Sequence, residues 1–162
     1  MRIQAVASAA DEETVRELFE EYWRSFGFTP CFQGFAEEVA GLPGKYAPPA
    51  GRLALALEVD GVAGCVALRR VDERRAEAKR LYVRPAFRGR GIGAALLEYI
   101  IEEARAAGYA ELVGDTMPVM AEALELYKRR GFEITGPYSA EPTPGAVYIR
   151  LRLYAADHTS TK

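Results

Sequence analysis

Residues 77–94 read Glu77-Ala78-Lys79-Arg80-Leu81-Tyr82-Val83-Arg84-Pro85-Ala86-Phe87-Arg88-Gly89-Arg90-Gly91-Ile92-Gly93-Ala94: a strand-forming run, a turn at Pro85, a cluster of glycines, and the start of an amphipathic helix. Glycines let the backbone turn sharply and bring its N–H groups close to a ligand, while the helix behind them presents unpaired donors and the positive end of its dipole. Arg88 and Arg90 add mobile charge at the same place. The partner of such a turn is an anion, and a pyrophosphate suits it best.

A second reading of the glycines competes with this one. Gly89-x-Gly91-x-x-Ala94 also satisfies a relaxed dinucleotide-binding fingerprint, with Asp115 near the offset of a ribose-binding acid. In that turn, however, the glycines follow the strand end almost at once, whereas Arg84–Arg88 here separate Val83 from Gly89. The chain also lacks the repeated βαβ units that such a domain needs. A dinucleotide-binding oxidoreductase is therefore the weaker reading.

Arg88-x-x-Gly91-x-Gly93, lying between a strand and a helix, resembles the signature of the GNAT superfamily of acetyl-CoA-dependent N-acetyltransferases, Gln/Arg-x-x-Gly-x-Gly/Ala. A second stretch, Tyr127-Lys128-Arg129-Arg130-Gly131-Phe132, resembles the Tyr-x-x-x-Gly-Phe motif of the same family. The two together are far more specific than either alone, and the resemblance covers nearly the whole chain.

Composition sets the bounds. With 162 residues, 49% of them apolar, the chain has the length of one domain with a substantial core. We expect that domain over residues 1–154, followed by a polar tail at 155–162. A net charge of −2 argues against a general nucleic-acid or membrane surface, although Lys79, Arg80, Arg84, Arg88 and Arg90 form one local basic run. No charged-then-apolar leader and no apolar run of about 18 residues is present, so a cytoplasmic protein is expected. Cys31 and Cys65 have neither metal-type nor redox spacing, and the lone His158 lies in the polar tail. Metal chemistry and a Ser-His-Asp triad both lack their parts.

Taken in order, Arg2–Ala7 reads as a strand. Asp11 is a helix cap before the stripe Val15, Leu18, Phe19, Tyr22 and Phe26. Residues 32–42 offer a second helix through Phe35, Val39 and Leu42. The Pro- and Gly-rich segment 42–51 is a loop that can wall a binding site with Tyr46, or merely connect. Leu53–Val59 and Val62–Arg69 form an antiparallel hairpin around Asp60-Gly61, and 74–83 extends the meander. A helix from Ile92 stopped by Gly108, a strand at 111–115, a helix at about 118–130 and strands at 132–135 and 147–153 complete the chain.

This order is a mixed α/β fold. The resemblance implies the GNAT acyl-CoA N-acyltransferase fold: about four helices on a mostly antiparallel sheet of about seven strands, with a parallel fourth and fifth strand splayed around the cofactor. It further implies that acetyl-CoA enters the splay. The backbone of Leu81, Tyr82 and Val83 would then hold the pantetheine arm, and Arg88, Gly89, Arg90, Gly91, Ile92, Gly93 and Ala94 the pyrophosphate.

By the same resemblance, Glu77 corresponds to the acid that draws a proton from the acceptor amine, and Tyr127 to the tyrosine that protonates the departing sulfur. A backbone N–H near Val83 would meet the oxyanion. Glu77 can equally be a structural partner of Lys79 or Arg80, Tyr127 a core tyrosine, and Asp115 with Thr116 either an amine-orienting pair or a helix cap. The expected partner is a small-molecule or peptide amine, with neither nucleic acid nor membrane, and a homodimer is compatible with the family. A catalytically silent domain that binds or senses acyl-CoA is the alternative within the same resemblance.

Overall fold

The computed structural model describes residues 1–25, 34–117, 121–138, 142 and 144–154. Among these, eleven helices and strands follow one another. They are β1 (Arg2–Ala5), α1 (Ala9–Ser25), α2 (Phe35–Ala40), β2 (Arg52–Glu58), β3 (Gly61–Arg70), β4 (Arg75–Val83), α3 (Ile92–Ala106), β5 (Glu111–Thr116), α4 (Ala121–Arg129), β6 (Glu133–Thr135) and β7 (Val147–Arg152). The seven strands form one sheet in the order β1-β2-β3-β4-β5-β7-β6. Its single parallel pair is β4–β5, joined by the α3 crossover. Cys31, His158, the expected tail and the start of the 118–130 helix lie outside the described residues. Among those described, no helix is long and apolar enough to cross a membrane.

Strand alternation sorts the core into two layers. Leu53, Leu55, Cys65 and Ala67 face α1 and α2, packing with Val15, Leu18, Phe19 and Trp23. Ala54, Ala56, Ala76 and Ala78 face the opposite way, onto Ile92, Leu96, Leu97 and Ile100 of α3. Small side chains on that face let α3 lie close to the strands, which fixes where its N-terminus points. The intervening alanines of β2 are as fully buried as its leucines, because both faces of the sheet are covered there.

One expectation is corrected at the first helix. Asp11 is not its N-cap: the helix begins at Ala9, the Asp11 N–H donates to Ser8 Oγ at 3.1 Å, and Asp11 Oδ2 accepts from Ala7 N–H at 3.0 Å. Ser8 caps the helix, and Asp11 reaches back from the first turn in a reciprocal arrangement like a capping box. The other elements fall where periodicity and turn residues put them, within a residue or two at most described ends.

Candidate active site

The β4–β5 pair is short. Arg75, Ala76 and Glu77 pair with Glu111, Leu112 and Val113, and there the pairing stops, while β4 runs on to Val83 and β5 to Thr116. The cause lies within β4. Its register against β3 passes from Lys79↔Ala67 to Tyr82↔Cys65, so Arg80 and Leu81 stand opposite Val66 alone, and Arg80 takes a left-handed φ of 58°. Such a bulge bends the strand that carries it. Beyond Glu77 the β5-facing backbone edge of β4 has no strand partner, leaving N–H and C=O groups available to an extended ligand.

A cleft of about 530 Å³ opens at the end of this splay. Leu81, Tyr82, Val83, Arg88, Gly89, Gly91, Ile92 and Gly93 line it, with Tyr22 of α1 and Leu126 of α4 on the flanks. Gly91 is the N-cap of α3 at φ 80°, Gly89 has φ 81°, and no atom lies within 4 Å of where a side chain would begin at either position. The turn is therefore unobstructed, and positive φ is what requires glycine there. The first N–H groups of α3 have no intrahelical acceptor and open toward this space.

Two of the expected binding residues, Arg90 and Ala94, do not line the cleft. The Arg90 guanidinium lies 5.1 Å from the Phe87 ring and 3.7 Å from an Asp60 carboxylate oxygen. Arg88 does line it, with Nε donating to the Val83 carbonyl at 2.9 Å.

Tyr127 is buried, its ring 5.3 Å from that of Phe132. Its hydroxyl makes no hydrogen bond among the described residues, and burial, with the fields of Tyr22 and Asp115, pushes its pKa up. It remains a neutral donor throughout the physiological range, close enough to the β5 end to feel Asp115.

Glu77 lies on the face of β4 that looks toward α1 and α2, and is 2% exposed. Arg69 Nε donates to its Oε1 at 2.7 Å, from the position directly across the β3–β4 ladder, and the Tyr138 hydroxyl donates to Oε2. Burial alone would raise its pKa, but Lys79, Arg69 and the Tyr138 hydroxyl outweigh it and hold the carboxyl below the ordinary value. Glu77 therefore meets Arg69 and Tyr138, with Lys79 acting at longer range and Arg80 committed elsewhere. Two residues along each strand, Lys79 and Asp115 occupy equivalent heights on either side of the splay. Burial raises the Asp115 pKa against the pull of Lys79, and burial lowers that of Lys79.

Arg80 is anchored under α1 and α2. Its guanidinium donates to both Glu38 oxygens, at 2.9 and 2.8 Å, and lies 5.1 Å from the Trp23 ring and 5.5 Å from that of Phe35. Those two rings stack on each other at 4.3 Å. Tyr46, from the Pro- and Gly-rich loop, lines a second cavity of about 440 Å³ with Glu38, Arg69 and Lys45. Sequence reasoning gave no site role to Arg69, Glu38 or Tyr138. The first could have been found from hairpin register, while nothing in the pattern marks the other two.

A sheet with one parallel pair splayed open, a glycine turn at a helix N-terminus facing the gap, and a tyrosine on the helix behind the second strand together define an acyl-CoA N-acyltransferase fold. The chain belongs to the acetyltransferase (GNAT) domain family, whose model matches residues 49–134. It is 39% identical over 153 residues to an uncharacterized N-acetyltransferase of Schizosaccharomyces pombe, covering 93% of this chain and 94% of that one.

Among solved structures it resembles an acetyltransferase from Streptococcus agalactiae with a TM-score of 0.78 at 19% identity, covering 93% of this chain and 97% of that one. It also resembles an acetyltransferase from Salmonella typhimurium, solved with its cofactor acetyl-CoA, with a TM-score of 0.71 at 22% identity, covering 96% of this chain and 95% of that one. At these identities the two structures establish the fold.

Proposed function

We propose that this chain transfers the acetyl group of acetyl-CoA directly to a primary amine in a ternary complex. The observation that carries the reading is the unobstructed glycine turn placed at the end of an unpaired strand edge. Backbone donors for a diphosphate and a ladder for an extended amide-bearing arm lie in one cleft. Residues Arg88–Ala94 would hold the diphosphate, and the backbone of Leu81, Tyr82 and Val83 the pantetheine arm, with Arg90 acting as a charge at the rim. Acetyl-CoA supplies the activated acetyl group.

The chain's contribution is then alignment, charge and protons. Holding donor and amine in line supplies on the order of 7 kcal/mol or more of the barrier when geometry is good. An aliphatic ammonium has a pKa near that of lysine, about 10.4, so a proton must leave before nitrogen can attack. Glu77, already saturated by Arg69 and Tyr138, fixes negative charge under the acceptor and draws that proton through water. As the new C–N bond forms and the C–S bond breaks, the Tyr127 hydroxyl donates its proton to sulfur and is replenished from solvent.

Titration calorimetry with acetyl-CoA, followed by thiol release with an amine panel, tests the reading. Binding with amine-dependent thiol release is expected. Binding without release from any amine would leave a silent acyl-CoA-binding domain, and indifference to millimolar coenzyme A would end the reading altogether. Preferential binding of NADH would favour the dinucleotide alternative.

A further inference from the structure

On the sheet face that looks toward α1 and α2, three cations each sit against a carboxylate. Arg69 pairs with Glu77 at 2.7 Å, Arg80 with Glu38 at 2.8 Å, and Arg150 with Glu133 at 3.6 Å. At the mouth of the splay two charges on that face form no ion pair with any described residue: Lys79 on β4 and Asp115 on β5. Extending the strand register two residues beyond the last paired residues, Glu77 and Val113, sets both at the same height and on the same sheet face, one on either side of the mouth of the splay. Each lies in the other's field and both lie in that of Glu77, without an ion pair forming between Lys79 and Asp115. Both side chains are half-buried, so neither charge is fully solvated and neither is neutralised.

One positive and one negative group, separated and partly desolvated, are complementary to a zwitterion. We infer that the acceptor is an α-amino acid or a close analogue, with Lys79 binding its carboxylate and Asp115 receiving its ammonium group. The inference deepens the acyl-transfer reading and rests on it. Polycationic acceptors suit the face poorly, because Lys79 repels them and, of the carboxylates named above, Asp115 is the single one left open to a cation. A peptide N-terminus lacks the adjacent carboxylate that Lys79 requires.

The chemistry balances with these residues. Asp115 holds the ammonium in place, and one of the ammonium protons leaves for solvent through the water that Glu77 polarises. The freed nitrogen pair forms the C–N bond and the C–S pair leaves with sulfur; Tyr127 protonates the thiolate, and the second proton shed by nitrogen as the amide forms passes through water to restore Tyr127. The products are the N-acetylated amino acid, free thiol and one proton in solvent.

The test uses the full chain, acetyl-CoA and three acceptor sets: the twenty L-amino acids, their α-amides, and spermidine as a polycation. At least one amino acid should be acetylated with kcat/KM about 100-fold above that of its own amide, the size expected for a charged hydrogen bond to a carboxylate. Lys79→Met should reduce that ratio at least tenfold, chiefly through KM of the acid, and Lys79→Arg should restore most of it. The affinity for acetyl-CoA, measured by calorimetry, should be unaltered in both variants.

A parent enzyme that acetylates amides or spermidine as well as amino acids overturns the inference, as does a Lys79→Met protein that keeps the ratio. If no amine releases thiol, calorimetry with the same amino acids in saturating coenzyme A decides the matter, and absence of binding overturns it. Failure of acetyl-CoA itself to bind is a separate result, and refutes the acyl-transfer reading instead.

Discussion

Replacing Glu38 by Gln should cost the protein about 2–4 kcal/mol of stability. The Arg80 side chain is 4% exposed and that of Glu38 19%, and the two share a bidentate contact at 2.9 and 2.8 Å. Removing one member of a buried pair typically costs about 3–5 kcal/mol, because the surviving charge stays buried without compensation. Two features lower that figure here: Gln keeps one acceptor oxygen, and the Tyr22, Trp23 and Phe35 rings around the guanidinium hold a cation with about 0.5–2 kcal/mol in all.

For a chain of this length each kcal/mol moves Tm by about 2–4 °C, so the drop should be about 4–16 °C in thermal unfolding followed by circular dichroism. The sign with pH is fixed. Burial opposes ionisation of Glu38, but Arg80 outweighs it and holds the pKa low. Its contribution is therefore present above the unfolded carboxylate pKa and lost as pH falls through the folded one, and the gap between parent and variant should close on acidification. The Arg80 bulge splays β4 from β5, so acetyl-CoA affinity should weaken alongside. A variant within about 2 °C of the parent at neutral pH would refute the reading of Arg80–Glu38 as a buried pair whose loss leaves an uncompensated charge.

Further outcomes follow from the site. Tyr127→Phe should lower kcat by about 10²-fold, the usual size of a lost proton donor, with acetyl-CoA affinity intact by calorimetry; unchanged turnover would make Tyr127 a core residue only. Gly91→Val should weaken acetyl-CoA binding at least tenfold, because a β-branched residue cannot hold the φ of 80° that directs the α3 amides; equal binding would detach the cofactor from this turn.

Glu77→Gln and Asp115→Asn should shift stability in opposite directions at pH 7. The Glu77 pKa is lowered, so its stabilising contribution holds above the unfolded value and vanishes as acid protonates it. The Asp115 pKa is raised, so its charge costs stability above the folded value and stops doing so below. A Tm that falls for the first variant and rises for the second, with both differences shrinking in acid, is the expected pattern. Two variants moving together would contradict it.

The parts of this molecule that rest on backbone geometry could be read from sequence. Asp60-Gly61 requires a tight hairpin, Gly91 and Gly108 bracket a helix, and the crossover between β4 and β5 forces a parallel pair, so the cofactor cleft follows from punctuation and periodicity. The acceptor side could not be read the same way. Glu77 is 61 residues from Tyr138, and Arg80 is 42 from Glu38; no periodicity links positions so far apart. Arg80 also hides its role, because an arginine in a strand reads as solvated and a left-handed φ at a non-glycine residue leaves no mark in the sequence. The Asp11 error has the same root, since Ser8 and Asp11 are both competent caps and only the register of the first turn chooses between them.

That difference between the two halves of the cleft bears on how such a protein changes its substrate. The donor side is built from main-chain groups whose positions depend on a few glycines, on α3 lying against small residues and on the Arg80 bulge, so side-chain substitution away from these leaves it standing. The acceptor side is an arrangement of charges in which Arg69–Glu77 and Arg80–Glu38 are closed and Lys79 and Asp115 are open. Changing an open charge alters what is recognised without orphaning a buried partner, whereas changing a closed one leaves an uncompensated ion in the core. Lys79 and Asp115 are thus the positions at which specificity can move without breaking a direct ion pair, Lys79 at the cost of its longer-range support of Glu77. A Lys79→Glu protein that folds, with its Tm lowered by the like charge beside Glu77, yet prefers spermidine to amino acids, is the outcome this division of labour requires.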